Sequence, residues 1–153
     1  MKKVYAFEPD PQSYKNCLCN KDKYHFTEAK IIPFGTWSEK KTLRFKAEKA
    51  TCSCVSENGE NHIDVVTIDE TIDENDRVTF IKMDVEGAEL ESLKGAKHII
   101  CRDKPKLAIC IYHKPEDMTE IPLYIKSLVP EYKIYVRHHC NSDGETVLYA
   151  VMP

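Results

Sequence analysis

An α/β fold with a mostly parallel sheet and a C-terminal antiparallel hairpin is the architecture this sequence predicts, and three observations carry it. Short apolar runs alternate with helix-patterned stretches, as βαβ units require. Two of those runs end abruptly in acid: Val4-Tyr5-Ala6-Phe7 enters Glu8-Pro9-Asp10-Pro11, and Thr79-Phe80-Ile81-Lys82-Met83 enters Asp84, Glu86 and Glu89 around Gly87. Open α/β sheets bind ligands at the carboxyl ends of their strands, so two acidic strand ends point to a small-molecule site. Near the C-terminus, Asn141-Ser142-Asp143-Gly144 is the strongest hairpin signal in the chain.

Taken in order, Val4 to Glu8 reads as a strand, and Pro9 and Pro11 punctuate the turn into a helix from about Gln12 to Lys21. Lys30 to Phe34 is a second strand, closed by Gly35. Thr42 to Lys46 alternates apolar and polar residues, which marks a half-exposed strand, and Ile63 to Ile68 is another. Glu48 to His62 is small and polar, with Ser56-Glu57-Asn58-Gly59 as its turn. Thr67 offers an N-cap for a short helix reaching about Ile72.

The strand Val78 to Asp84 comes next, then a helix from Gly87 to about Lys94 with Leu90 and Leu93 on its apolar stripe and Gly95 as a C-cap. Lys106 to Tyr112 is the most apolar strand and stops at His113. A helix beginning near Pro115 carries Ile121, Tyr124, Ile125 and Leu128, with Pro122 tolerable only in its first turns. Tyr132 to Arg137 and Thr146 to Val151 form the closing hairpin.

The chain of 153 residues suits one domain burying roughly two thirds of its unfolded surface. Its 22 Lys and Arg and 25 Asp and Glu are interspersed and leave a net charge of -3, so no field favours nucleic acid or an anionic membrane. No apolar run approaches the ~20 residues of a membrane span, and Met1-Lys2-Lys3 leads into the first strand without a signal-peptide pattern. The chain therefore reads as cytoplasmic, with its seven cysteines as reduced thiols. Cys17-x-Cys19 and Cys52-x-Cys54 lack the usual zinc-knuckle gap, and on a helix Cys17 and Cys19 would point about 200° apart. No metal site is expected.

The stretches VYAFEPDP (4–11), IIPFGTWSEK (31–40), VVTIDE (65–70), FIKMDVEGAELESLKGA (80–96) and the strand ending in Tyr112-His113 resemble, in order and spacing, the FkbM family of S-adenosylmethionine-dependent methyltransferases. The resemblance covers nearly the whole chain. It implies a class I, Rossmann-like three-layer fold and O-methylation of hydroxyls on sugars or other natural products. It also implies a departure: family members begin with a strand and a Gly-rich turn against the cofactor, and none of the five glycines here precedes Glu8. That missing strand would lie between those ending at Glu8 and Asp84. Direct pairing of the two, or a homodimer or partner chain filling the gap, is expected over an open groove.

Within that frame Glu8 would accept hydrogen bonds from both ribose hydroxyls of the cofactor, although a helix-entry carboxylate is the plainer reading. Trp37 would stack on the adenine and Ser38 would bond its edge, against a plain packing role. Methyl transfer needs an acceptor oxygen aligned with the sulfonium methyl and a group to take its proton. Asp84, Glu86 and His113 are the candidates, with Asp84 also bordering the cofactor. The same three could ligate a divalent cation, though such triplets are common by chance. For Glu86 and Glu89 the competing account is charge complementing a helix N-terminus. A truncated, non-catalytic interaction module that does not bind the cofactor is the alternative to an enzyme.

Overall fold

A computed structural model describes residues 3–47, 53–55, 61–141 and 144–153 of the chain. The turn at Ser56 to Gly59 and the centre of the Asn141 to Gly144 turn lie outside the described residues, as does Cys52. β1 (Val4–Phe7) leads to α1 (Pro11–Lys23), where Asp10 accepts the Ser13 amide at 2.7 Å and Pro11 stands where no amide is needed. β2 (Ala29–Ile32) pairs parallel to β1 and stops at Pro33, which has no N–H to donate.

β3 (Gly35–Thr36), β4 (Lys41–Ala47), β5 (Ser53–Val55) and β6 (Asn61–Val66) form a separate four-stranded sheet in the order β3-β6-β4-β5. The alternating strand at Thr42 to Lys46 thus finds its partners in a small accessory sheet. α2 (Ile68–Thr71) follows, with the Thr67 hydroxyl accepting the Glu70 amide as expected.

The second half holds β7 (Phe80–Met83), α3 (Glu89–Lys94), α4 (Lys97–Asp103), β8 (Lys106–Cys110), α5 (Asp117–Leu128), β9 (Lys133–His138) and β10 (Thr146–Val151). Their sheet runs β7-β8-β10-β9, with β7 parallel to β8 and the last two strands antiparallel. α4 has no counterpart in the sequence reading. Its start is held by Asp69, whose carboxylate accepts the His98 and Ile99 amides at 2.8 and 2.9 Å. α3 begins two residues later than expected because Glu86 and Gly87 both adopt positive φ, 53° and 88°.

The core sits on this β7-β8-β10-β9 sheet. Ile81 and Met83 of β7, Leu107 and Ile109 of β8, and Leu148 and Ala150 of β10 pack with Leu93, Ile100, Ile121 and Ile125 from the helices. β8 is buried on both faces along Leu107 to Cys110, the mark of an inner parallel strand. By contrast α1 buries none of its side chains. Among the described residues no helix is long and apolar enough to cross a membrane.

Direct pairing of β1 with β7 is not what the structure shows. β1 is bonded to β2 and β7 to β8, in two different sheets. Side chains span the separation instead: Lys3 Nζ and Tyr5 Oη reach Asp76 Oδ2 at 2.6 and 2.5 Å, and Phe7 packs on the main core. Val4 and Phe80, on the two strands, remain about half exposed.

Candidate functional site

The carboxyl ends of β7 and β8 bring the acidic turn against His113. Asp84 leaves β7 directly, and the left-handed pair Glu86-Gly87 swings the chain so that α3 starts with Glu89 pointing back under the turn. Glu89 is fully buried, and its Oε1 accepts the Val85 amide at 2.9 Å. From β8, Tyr112 and His113 arrive with their rings 4.1 Å apart. His113 Nε2 lies 3.7 Å from Asp84 Oδ1 and 3.4 Å from Glu86 Oε2, and Nδ1 lies 2.8 Å from Glu89 Oε1. That last contact is close enough for charge pairing but lies off the N–H axis a hydrogen bond needs.

Lys114 fixes the two loops to each other by donating from Nζ to the Gly87 carbonyl. Gly87 is required twice over, since its φ suits glycine and a Cβ there would meet Lys114 Cε at 3.0 Å.

The electrostatics follow from burial and proximity. Burial resists the Asp84 charge, yet the Cys110 thiol, Lys82 and the Tyr112 hydroxyl together hold its carboxyl below the usual value. Tyr112 Oη donates to Asp84 Oδ1 at 3.2 Å. Burial, with Asp84 alongside, pushes the Cys110 thiol up to about 12. For His113 burial opposes protonation, but Glu89, Glu86 and Asp84 outweigh it and raise the imidazole above its ordinary 6.5. Asp117 at the start of α5 is raised by burial and then by Glu89.

Asp84, Glu86 and His113 therefore converge, as the sequence suggested. Sequence reasoning underrated Glu89, whose place at a helix start gave it a complete local explanation, and it missed Asp117, Tyr112 and Cys110. No local pattern marks those three, because their roles arise from the packing of α5 and β8 against the acidic turn.

Glu8, Trp37 and Ser38 lie at the other strand end. Glu8 is half-buried at the end of β1, and its Oε1 accepts the Asp10 amide at 2.9 Å, which orients the carboxylate across the turn. Gly35 sits beside Pro9 of the same turn, so the β3 loop borders it. Trp37 lies under Lys41, whose Nζ is 5.3 Å from the ring centroid. Ser38 Oγ donates to Glu91 Oε2 at 2.5 Å, and Thr36 Oγ1 is 2.6 Å from Ser92 Oγ, so this loop is fastened to α3. The Ser38 hydroxyl thus already has a protein acceptor.

Of the cysteine pairs, Cys17 and Cys19 share α1, and Cys17, Cys19, Cys101 and Cys110 are free thiols. The side chain of Cys54, like Cys52, falls outside the described residues.

A methyltransferase FkbM domain matches residues 1–132. The structure resembles methyltransferase FkbM from Methylobacillus flagellatus KT at 35% identity and a TM-score of 0.79, covering 98% of this chain and 36% of that one, so the chain spans about a third of that protein. An rRNA methylase from Streptococcus thermophilus aligns at 16% identity and a TM-score of 0.54, over 97% of this chain and 71% of that one. A Streptococcus mutans protein in complex with SAH aligns at 16% identity and 0.56, over 97% and 75%. These two show a shared fold. No curated protein matches significantly.

Proposed function

We propose that this chain, which belongs to the FkbM methyltransferase family, builds the acceptor side of an S-adenosylmethionine-dependent methyltransferase that acts on a hydroxyl of a small molecule such as a sugar. The observation that supports this most is the meeting of Asp84, Glu86 and His113 at the carboxyl edge of β7 and β8. Ligands of open α/β sheets lie there.

In this reading Glu8 holds the ribose hydroxyls, and the loop at Trp37 borders the adenine. The acidic edge attracts the cationic sulfonium. Bound S-adenosylmethionine would supply an electrophilic methyl, its carbon–sulfur bond breaking with the electron pair kept on sulfur as the acceptor oxygen bonds to carbon. The hydroxyl proton passes to a carboxylate. Asp84 and Glu86 suit that task better than His113, because their carboxylates reach the surface while the imidazole is packed among three carboxylates. The open sides of β1 and β7 are where a further strand, from a second copy or another segment, would complete the sheet floor.

Calorimetry with S-adenosylmethionine and S-adenosylhomocysteine tests the reading. Micromolar binding, with methyl transfer to a hydroxyl acceptor that falls in Asp84→Asn, is the expected result. No heat at millimolar ligand would overturn it and favour the non-catalytic module.

A further inference from the structure

We propose that Asp84, Glu89 and His113 form a binding site for one first-row divalent cation of the Mn2+ type, with Glu86 able to close on it from the surface. Each of the three residues offers one ligand atom, and these atoms lie within 4.8 Å of one another. Two ligands on opposite sides of an ion with ~2.1 Å bonds are roughly 4.2 Å apart, so shifts of a few tenths of an ångström complete the contacts.

The independent observation is the state of the buried atoms. Among the described residues, every buried side-chain nitrogen or oxygen without a hydrogen-bond partner falls in this one place: Glu89 Oε2, both ring nitrogens of His113, and Asp117 Oδ2. The His113 side chain is 7% exposed and Glu89 is 0% exposed. Buried polar atoms are almost always satisfied, and leaving a charged one unsatisfied costs several kcal/mol, so such a concentration marks a ligand position.

The chemistry of the donors selects the ion. Two carboxylates with one imidazole suit Mn2+, Fe2+, Co2+ or Zn2+ better than Ca2+, which takes oxygen ligands alone. The lysines leave the ion room, since Lys114 Nζ is committed to the Gly87 carbonyl and Lys82 approaches Asp84 Oδ2 from solvent at 3.4 Å. Glu86, 44% exposed, stands 3.4 Å from His113 Nε2 at the solvent side of the group. The use of the ion rests on the methyl-transfer reading, where it would bind the acceptor oxygen and ease loss of its proton. Its binding does not.

The test is titration of the chelator-treated full chain with MnCl2 alone, following free Mn2+ by electron paramagnetic resonance. One Mn2+ per chain at micromolar affinity is expected, displaced by Zn2+ and not by equal Ca2+. Asp84→Asn, at a half-exposed position, should weaken binding by about tenfold or more while the circular dichroism melt stays that of a folded chain. His113→Gln should do the same. No Mn2+ retained at millimolar concentration, equal binding of Ca2+, or unchanged affinity in both variants would overturn the site. Because neither cofactor nor acceptor is present, that failure leaves methyl transfer standing, whereas absent S-adenosylhomocysteine binding would count against methyl transfer alone.

Discussion

Replacing Gly95 by alanine would place a Cβ 1.9 Å from the carbonyl oxygen of Trp37 and 2.9 Å from its carbon. Backbone conformation is not the obstacle, since φ -73° and ψ -5° suit any residue. An ordinary carbon–oxygen approach is about 3.3 Å, so the carbonyl has to retreat by roughly 1.4 Å. It is not free to do so: the Trp37 amide donates to Val66, and Thr36 and Ser38 on either side are bonded to Ser92 and Glu91. Overpacking of this kind costs about 1–3 kcal/mol, and loosening the buried Thr36–Ser92 pair adds about 1–2. The stiffer unfolded chain returns about 0.4–1. A net loss near 3 kcal/mol follows, which in a chain of this size lowers the melting midpoint by roughly 6–12 °C. Urea denaturation read by the fluorescence of Trp37, the chain's single tryptophan, reports on the same loop. Gly35→Ala is the comparator, because the nearest neighbours of its Cβ would be side-chain atoms, Val65 at 3.1 Å, Ile63 at 3.6 Å and Pro9 at 3.7 Å. A Gly95→Ala midpoint within about 0.5 kcal/mol of the parent, or a cost no larger than that of Gly35→Ala, would refute the steric argument.

Asp69→Ala removes both amide acceptors at the start of α4 and should cost about 1–2 kcal/mol, with faster hydrogen exchange at His98 and Ile99 as the direct sign. Asp103 is gripped by Arg102 at 2.9 and 2.7 Å, which, against the opposing effect of burial and with help from the Val78 amide, holds its carboxyl below 3.8. A carboxyl depressed in the folded state stabilises fully above the unfolded value and loses that contribution as pH falls through the folded one. The stability gap between the parent and Asp103→Asn should therefore be level from about pH 5 to 7 and narrow below about pH 4; a gap that widens in acid would contradict this. Glu8→Gln should weaken S-adenosylhomocysteine binding by about tenfold, the worth of one charge-assisted hydrogen bond, and leave the melting midpoint in place. Equal affinities in the two proteins would remove Glu8 from the ribose.

What the sequence made legible was local. The Asp10 cap and Pro11 start α1, Thr67 caps α2, and the apolar run of β8 announces a strand buried on both faces. The acidic turn after β7 was readable for the same reason, because strand, glycine and carboxylates are consecutive. What escaped depends on residues far apart in the chain. α4 has no capping side chain of its own, and its cap is Asp69, 29 residues before His98. Gly95 is the C-cap of α3 as the sequence suggested, but that the Trp37 carbonyl excludes a side chain there was not readable. Glu89 had a sufficient local explanation, so nothing in the pattern hinted that it was buried against an imidazole from another loop. The accessory sheet and the separation of β1 from β7 are likewise matters of pairing, which alternation alone does not specify.

The Lys114 bond to the Gly87 carbonyl couples two segments that would otherwise breathe separately. Any widening of the mouth around His113 must carry both as a unit or break a charged hydrogen bond first. Shortening Lys114 would therefore let the Gly87 turn and the His113 loop fluctuate independently, with faster amide exchange in both.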